Sequence, residues 1–280
     1  MQRRKFGPLP VQVPVIGMGT WQLELDQPER SVAALRAGLD IGMTHIDTAE
    51  MYGSGQAEAL VGKAIEGRRA EVFLVSKVLP ENASRKGTRQ ACERSLKQLR
   101  TDYLDLYLLH WPSSHPLSET IAAFEELRSA GKIRAYGVSN FDVPDMEEAL
   151  KLAGEGNLAC NQVLYHLNER RIEHRVLPWC ERNGVALVAY TPFGRAGFPP
   201  PGERGRVLAR IAEKHRATPR QIALAFVTRN PLCFTIPKTS NIDHIRENAG
   251  AAGVSLDRSD LEALEASFPI GKLGSTLPTL

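Results

Sequence analysis

Asp47, Tyr52, Lys77 and His110 offer, in chain order, a carboxylate, a phenol, an ammonium and an imidazole. Alone, each has an ordinary structural use: Asp47 can cap a loop, and Lys77 can lay its stem along a rim with its charge in water. Together they make a proton-delivery unit. A phenol with a pKa of ~10 is a reluctant acid at neutral pH, and an ammonium beside Tyr52 favours the phenolate and lowers that value. One unit charge at ~4 Å, in an effective dielectric of ~20, is worth about 4 kcal/mol, or about three pKa units. Asp47 would hold Lys77 charged and oriented, at some cost to that effect, and His110 could orient an acceptor oxygen by hydrogen bonding. Hydride addition to a carbonyl is the chemistry that needs such a set, because it leaves an oxygen that a general acid must protonate.

The elements that must position these groups are legible as alternating patterns. Short apolar runs at Val15–Gly19, Thr44–Asp47, Val72–Val78, Leu104–His110, Ala135–Ser139, Leu158–Val163, Ala186–Tyr190 and Cys233–Pro237 read as strands. Amphipathic helical patterns lie between them: Pro28–Ile41, Gln56–Glu66, Ser84–Leu99, Ser118–Ala130, Val143–Leu152, Glu173–Asn183, and Gly205–His215 with Pro219–Arg229. Eight strands joined by helical crossovers predict a parallel sheet closed into a (β/α)8 TIM barrel. Functional residues then project from the C-terminal strand ends. The second run finishes at Asp47 with Tyr52 just beyond, the third near Lys77, and the fourth at His110. His45, inside its run, reads as a core histidine. Arg3–Pro14 predicts an N-terminal β-hairpin that plugs the barrel bottom, and Asn241–Ala251 and Asp257–Ser267 predict additional C-terminal helices. No linker or repeat interrupts the chain, so residues 1–280 read as a single domain. Arg195–Glu203, rich in Gly and Pro, is the one conspicuous loop, at the face where active sites sit.

Composition narrows the classes. With 42% hydrophobic and 24% charged residues the chain is ordinary globular material, and a formal charge of +3 carries no concentrated basic stripe for nucleic acid. The basic residues between Arg85 and Arg100 follow a helical spacing and read as its wet face. Cys92, Cys160, Cys180 and Cys233 are scattered and read as buried thiols. Arg3-Arg4 has no apolar segment after it, and no run is long enough to span a bilayer, so a cytoplasmic location is expected, with no membrane partner. Gly17-x-Gly19 lacks the rest of a Rossmann fingerprint, there is no phosphate loop, and no metal is expected, since His110 and His115 are isolated. Trp21, Met51, Trp111 and Leu79 flank the four polar groups and are expected as walls of a substrate pocket shared with Tyr52 and His110.

Several segments resemble the signatures of the aldo-keto reductases: Gly17-Met18-Gly19-Thr20-Trp21, Asp47-Thr48-Ala49-Glu50-Met51-Tyr52-Gly53, Val75-Ser76-Lys77 and Leu108-Leu109-His110-Trp111-Pro112. Gly137-Val138-Ser139-Asn140-Phe141 and Ile236-Pro237-Lys238-Thr239 extend the likeness over essentially the whole chain, in the family's order. The resemblance implies that Asp47, Tyr52, Lys77 and His110 form a catalytic tetrad with the tyrosine as proton donor. It also implies an extended NADPH. Gly19, Thr20, Trp21 and Asp47 would lie against it, Ser139, Asn140 and Gln162 would bond its carboxamide, and Tyr190 would stack on its ring. The Thr191–Gly197 loop, with Pro192, Phe193 and Gly194, would cover the pyrophosphate, and Lys238, Thr239, His244, Glu247 and Asn248 would meet the adenosine end. Many members carry an arginine at the position of His244; here Lys238, Thr239 and Arg246 must suffice, which leaves NADH as a second cofactor.

The expected protein is an oxidoreductase that passes hydride from NADPH to small aldehydes, dicarbonyls or ketones and acts as a monomer. The short tail Gly271–Leu280 suggests an open pocket. Two other readings keep the barrel: a nicotinamide-cofactor-sensing regulatory subunit with little turnover, and a Schiff-base enzyme using Lys77 as nucleophile.

Overall fold

Strands that are buried on both faces read as unbroken apolar runs, and those runs make the wall of the molecule. The computed structural model describes residues 1–195, 197–274 and 276–279. Ala196 of the predicted pyrophosphate loop, and Ser275 and Leu280 of the tail, lie outside the described residues. Strands β3 (Met18–Gly19), β4 (His45–Asp47), β5 (Phe73–Val78), β6 (Leu104–Leu109), β7 (Ile133–Ser139), β8 (Leu158–Leu164), β9 (Ala186–Tyr190) and β10 (Cys233–Thr235) pair in parallel in that order. The two ends meet through parallel bridges Ile16↔Thr235 and Gly19↔Lys238. Backbone bonds along this seam run from Gly17 N to Thr235 O (2.8 Å), Thr235 N to Val15 O (3.0 Å) and Gly19 N to Pro237 O (3.1 Å). The (β/α)8 barrel read from the sequence is borne out.

The seam strands are shorter than their apolar runs. Pro237 has no N–H to donate, so the last ladder stops at Thr235. Gly17 faces His45 so closely that a Cβ there would lie 2.9 Å from its ring. The hairpin also behaves as expected: β1 (Arg3–Lys5) and β2 (Gln12–Pro14) pair antiparallel below the barrel. Phe6, fully buried, follows β1 and packs on Phe73 (centroids 5.1 Å apart) and Phe234 (4.8 Å), near the starts of β5 and β10.

The helices are α1 (Pro28–Asp40), α2 (Gln56–Ala64), α3 (Arg85–Leu99), α4 (Leu117–Ser129), α5 (Val143–Ala153), α6 (Val176–Asn183), α7 (Glu203–Lys214), α8 (Pro219–Val227), α9 (Ile242–Gly250) and α10 (Arg258–Ser267). Their starts follow capping chemistry. Ser84 accepts from Gly87 N, Asp142 and Asp145 close a capping box on α5, and Thr218 and Gln221 do so on α8 with Pro219 behind the cap. One predicted start is late: Glu173 belongs to a 3-10 turn (Arg171–His174), where its carboxylate binds Arg170, Arg229 and the Tyr165 hydroxyl instead of opening α6. On α3 the basic face is paired rather than merely wet, with Arg85 and Arg89 on Glu126 of α4 and Arg94 on Glu50. The Gly/Pro-rich loop before α7 is pinned where Arg220 of α8 lies over the rings of Phe193 (4.9 Å) and Phe198 (5.8 Å). The four cysteines are buried and unpaired. Among the described residues no helix is long and apolar enough to cross a membrane, and no group of three or more potential metal ligands occurs.

Candidate active site

Register brings the tetrad together. Asp47 pairs with Val75, and Lys77 lies two residues further along β5, on the same face and one step nearer the rim. Lys77 Nζ donates to Asp47 Oδ1 (2.6 Å), the Thr48 carbonyl (2.8 Å) and the Tyr52 hydroxyl (3.2 Å). Those three bonds use all the protons an ammonium has, so its orientation is fixed. From the opposite wall, Gln162 of β8 reaches across the barrel and donates to Asp47 Oδ2 (2.7 Å), while Thr20 donates to the Asp47 carbonyl (2.9 Å).

Tyr52 sits in a tight turn, Tyr52–Gly55, with Gly53 (φ 56°), Ser54 (φ 52°) and Gly55 (φ 89°) all left-handed. Such a turn needs glycine, and Gly53 has a second reason: a Cβ there would fall 2.5 Å from Glu24 Cγ. His110, one residue past β6, meets the Tyr52 ring edge-on with centroids 5.8 Å apart, and Trp111 tilts against it at 4.7 Å.

Burial sets the protonation states. It works to lower the Lys77 ammonium, but Asp47 and Tyr52 more than offset it and Lys77 ends above its usual value, firmly charged. The Tyr52 phenol is held above its ordinary pKa, first by burial and with Asp47 adding to it, while Lys77 opposes. This reverses the lowering expected from Lys77 alone, because the sequence does not reveal how deeply the phenol sits. His110 is pushed down to about 2 by burial and then by Lys77, so its imidazole is neutral. Its Nδ1 is buried with no partner among the described residues.

Above the tetrad opens a cavity of about 620 Å³. Asp47, Tyr52 and His110 form its foot, and Trp21, Met51 and Trp111 one wall. Ser139, Asn140, Gln162 and Tyr190 line the opposite side, followed by Thr191, Pro192, Phe193 and Gly194, with Gly19, Thr20 and Lys238 along the seam. The polar groups there are tied down. Asn140, itself left-handed (φ 60°), donates to the His110 carbonyl (3.1 Å) and accepts from the Tyr190 hydroxyl (2.8 Å), and Ser139 donates to the Gln162 carbonyl (2.8 Å).

At the rim, Lys238 forms an ion pair with Asp26 (2.7 Å), and the Arg195 guanidinium lies 5.7 Å from the Trp21 ring. Leu79 does not line the cavity; its N–H is bonded to Glu50. Thr239, His244, Glu247 and Asn248 also lie off its wall, at the start of α9 and along it. The Thr239 hydroxyl accepts from Asn241 N, His244 is exposed, and the Glu247 carbonyl accepts from Gln221. Asn248 is buried, and its Oδ1 has no partner among the described residues. Arg246 turns to Asp243 (3.2 Å). Three residues that the sequence does not single out also line the cavity: Gln22, Arg195 of the Thr191–Gly197 loop, and Ile236 of the Ile236–Thr239 segment. Ile236 opens the Ile-Pro-Lys-Thr segment and Gln22 directly follows Gly-Met-Gly-Thr-Trp, which is the signal the sequence offers for both.

A barrel whose strand ends carry this buried carboxylate–ammonium–phenol chain beside an imidazole matches known proteins closely. The Aldo/keto reductase family profile matches residues 15–268, and the chain belongs to that family. It is 46% identical over 265 residues to methylglyoxal reductase YeaE of Escherichia coli (strain K12), covering 94% of this chain and 93% of that one. It is 34% identical to a glyoxal reductase of Bacillus subtilis (strain 168), covering 91% and 89%. Among solved structures, an aldo/keto reductase from Klebsiella pneumoniae in complex with NADP and acetate superposes with a TM-score of 0.93 at 44% identity, covering 99% of each chain.

Proposed function

We propose that this chain reduces small aldehydes, dicarbonyls and ketones to alcohols, with NADPH as hydride donor and Tyr52 as proton donor. The observation that carries the reading is the fixed chain Asp47–Lys77–Tyr52 at the foot of a cavity large enough for a nicotinamide and a small carbonyl. The residues fit such a cofactor. Ser139, Asn140 and Gln162 present polar groups beside the Tyr190 ring, and off the cavity wall, on α9, the buried Asn248 keeps an unpartnered oxygen among the described residues. The NADP complex of the similar Klebsiella pneumoniae enzyme supports the choice of cofactor, and the two glyoxal-type reductases support the substrate class.

The bound cofactor supplies the hydride that forms the new C–H bond. The protein supplies the rest. Tyr52 Oη gives its proton to the carbonyl oxygen, and the phenolate left behind accepts the Lys77 N–H, already aimed at it. Asp47 and the Thr48 carbonyl keep that ammonium charged and in place. Neutral His110 orients the oxygen without contributing a charge that would compete with Lys77. Trp21, Met51 and Trp111 present an apolar wall to the substrate. A Schiff-base role for Lys77 would need a neutral amine, whereas three acceptors hold it as ammonium.

In this reading NADPH is preferred and NADH tolerated, because Lys238 already has Asp26 as a partner and His244 stands where many members have arginine. The barrel, hairpin and terminal helices act as one domain over residues 1–280, as a cytoplasmic monomer; the unpaired buried cysteines fit that compartment. The test is loss of reduced-nicotinamide absorbance with glyoxals, aldehydes and ketones. Tyr52→Phe should lose roughly two to four orders of magnitude in turnover while still binding NADPH. Near-normal turnover in that variant would remove Tyr52 from its role, and a regulatory subunit would show tight binding without turnover on any carbonyl.

A further inference from the structure

One charged side chain presses on the proton-donor turn yet takes no part in the hydride and proton transfers. Glu24 lies in a 3-10 turn, Leu23–Leu25, between β3 and α1. That turn is held on every side. Leu23 is fully buried, its N–H donates to the Thr20 carbonyl (3.0 Å), and its own carbonyl accepts from Ser31 on α1 (3.1 Å) and from Asp26 N (3.2 Å). Gln22, immediately before it, is left-handed (φ 60°).

So anchored, the Glu24 side chain runs over Gly53. A Cβ on Gly53 would fall 2.5 Å from Glu24 Cγ and 2.9 Å from Cδ, closer than real atoms approach. Gly53 and Ser54 hold the left-handed backbone that places Tyr52, and the Glu24 methylenes cover that backbone directly. The Glu24 Oε2 is buried with no hydrogen-bond partner among the described residues, and none of their salt bridges reaches it. That oxygen therefore has no protein group to hold it elsewhere, and the side chain rests on the donor turn.

We propose that Glu24 is a positioning residue for the proton donor, wedging the Gly53–Ser54 turn in place and holding its acidic side chain beside the donor residue. The charged and titratable groups facing Tyr52 are Lys77 from β5, Asp47 from β4, His110 from the end of β6, and Glu24 from the preceding loop. Burial favours the phenol most strongly, Lys77 favours the phenolate, and Asp47 and, least of these, Glu24 add to the phenol side. Glu24 thereby keeps the proton on Tyr52 until a carbonyl oxygen takes it, while Lys77 stands ready for the phenolate. This inference rests on Tyr52 being the acid, so the experiment carries Tyr52→Phe as a separate arm.

Glu24→Gln keeps the shape and removes the charge; Glu24→Ala removes both. Each is checked for folding by circular dichroism and for NADP binding by quenching of tryptophan fluorescence, then assayed for kcat against pH in the reduction direction. With Glu24→Gln the alkaline limb, where the phenol loses its proton, should begin about 0.5–1 pH unit lower, with NADP affinity within about twofold. With Glu24→Ala, kcat should fall about tenfold further while affinity stays in the same range. A Glu24→Gln profile superimposable on the parent, or a Glu24→Ala kcat equal to it, overturns the inference while leaving Tyr52 as the acid. Retained turnover in Tyr52→Phe overturns the reading on which it stands.

Discussion

Two lysines mark the two ends of the cavity, and they live in opposite circumstances. Lys77 is fully buried and its partner Asp47 is 1% exposed, whereas Lys238 and Asp26 are 31% and 32% exposed. At the foot every proton of the ammonium has a fixed acceptor on strand β4 or in the segment just beyond it. At the rim a single ion pair joins two loops. A buried pair is nearly impossible to exchange, because stripping one partner strands the other in a medium of low dielectric. An exposed pair is worth at most about 1 kcal/mol and exchanges freely. The foot therefore keeps one arrangement, whereas the half-exposed pair at the rim is the kind that can exchange one partner for another.

The strongest way to break that contrast is Lys77→Met. It should abolish turnover by about three orders of magnitude and cost roughly 3–5 kcal/mol of stability by leaving Asp47 unpaired, read as kcat and as a urea midpoint. A stable, half-active variant would mean that the foot is as exchangeable as the rim.

Buried imidazoles give the next largest effect. His45 is pushed down to about 3 and His110 to about 2, chiefly by burial and then by Lys77, so both stay neutral in the folded chain. Below about pH 6.5 the unfolded chain takes up protons at these sites that the folded chain refuses. Stability should fall with decreasing pH by about 1.4 kcal/mol per unit for each histidine. Between about pH 7 and pH 5.5 the unfolding free energy should fall by roughly 1.2 kcal/mol for each histidine, approaching the full slope only at lower pH, and His110→Asn should remove its share.

Smaller effects belong to the rim. Restoring the family's arginine with His244→Arg should raise the preference for NADPH over NADH about tenfold, seen in the ratio of dissociation constants. Asp26→Asn, which frees Lys238, should tighten NADP binding about two- to fivefold at low salt and much less at high salt, with little change in stability. An Asp26→Asn variant that binds NADP more weakly would show instead that the pair holds the rim together.

The same contrast explains what could be read from the sequence. Asp47, Lys77 and His110 sit at or just past strand ends, and strand ends follow from apolar runs, so the foot and the barrel order were both visible in one dimension. Gln162 was expected beside a cofactor, but its bond to Asp47 across the mouth depends on closure, which no local pattern encodes. Loops decide the rest. The Asp26–Lys238 pair joins residues far apart in the chain, Leu79 turned out to be tethered to Glu50, and Arg195 entered the cavity wall because its loop folds back over Trp21. The phenol's upward shift was missed for a related reason: charge types are written in the sequence, but depth of burial is a property of the finished barrel.

Closure of that barrel has a consequence for how the protein comes into being. Gly19, Thr20, Ile236 and Lys238 all line the cavity, and they belong to the first and last staves, which meet at the seam. While the chain is being synthesised, the early staves cannot offer a complete binding trough, however well they have formed, until the last one arrives. A dinucleotide lying along the seam would then act as a strap across the join. By mass action such binding would favour the closed state by about 2.7 kcal/mol at a hundredfold excess over the dissociation constant.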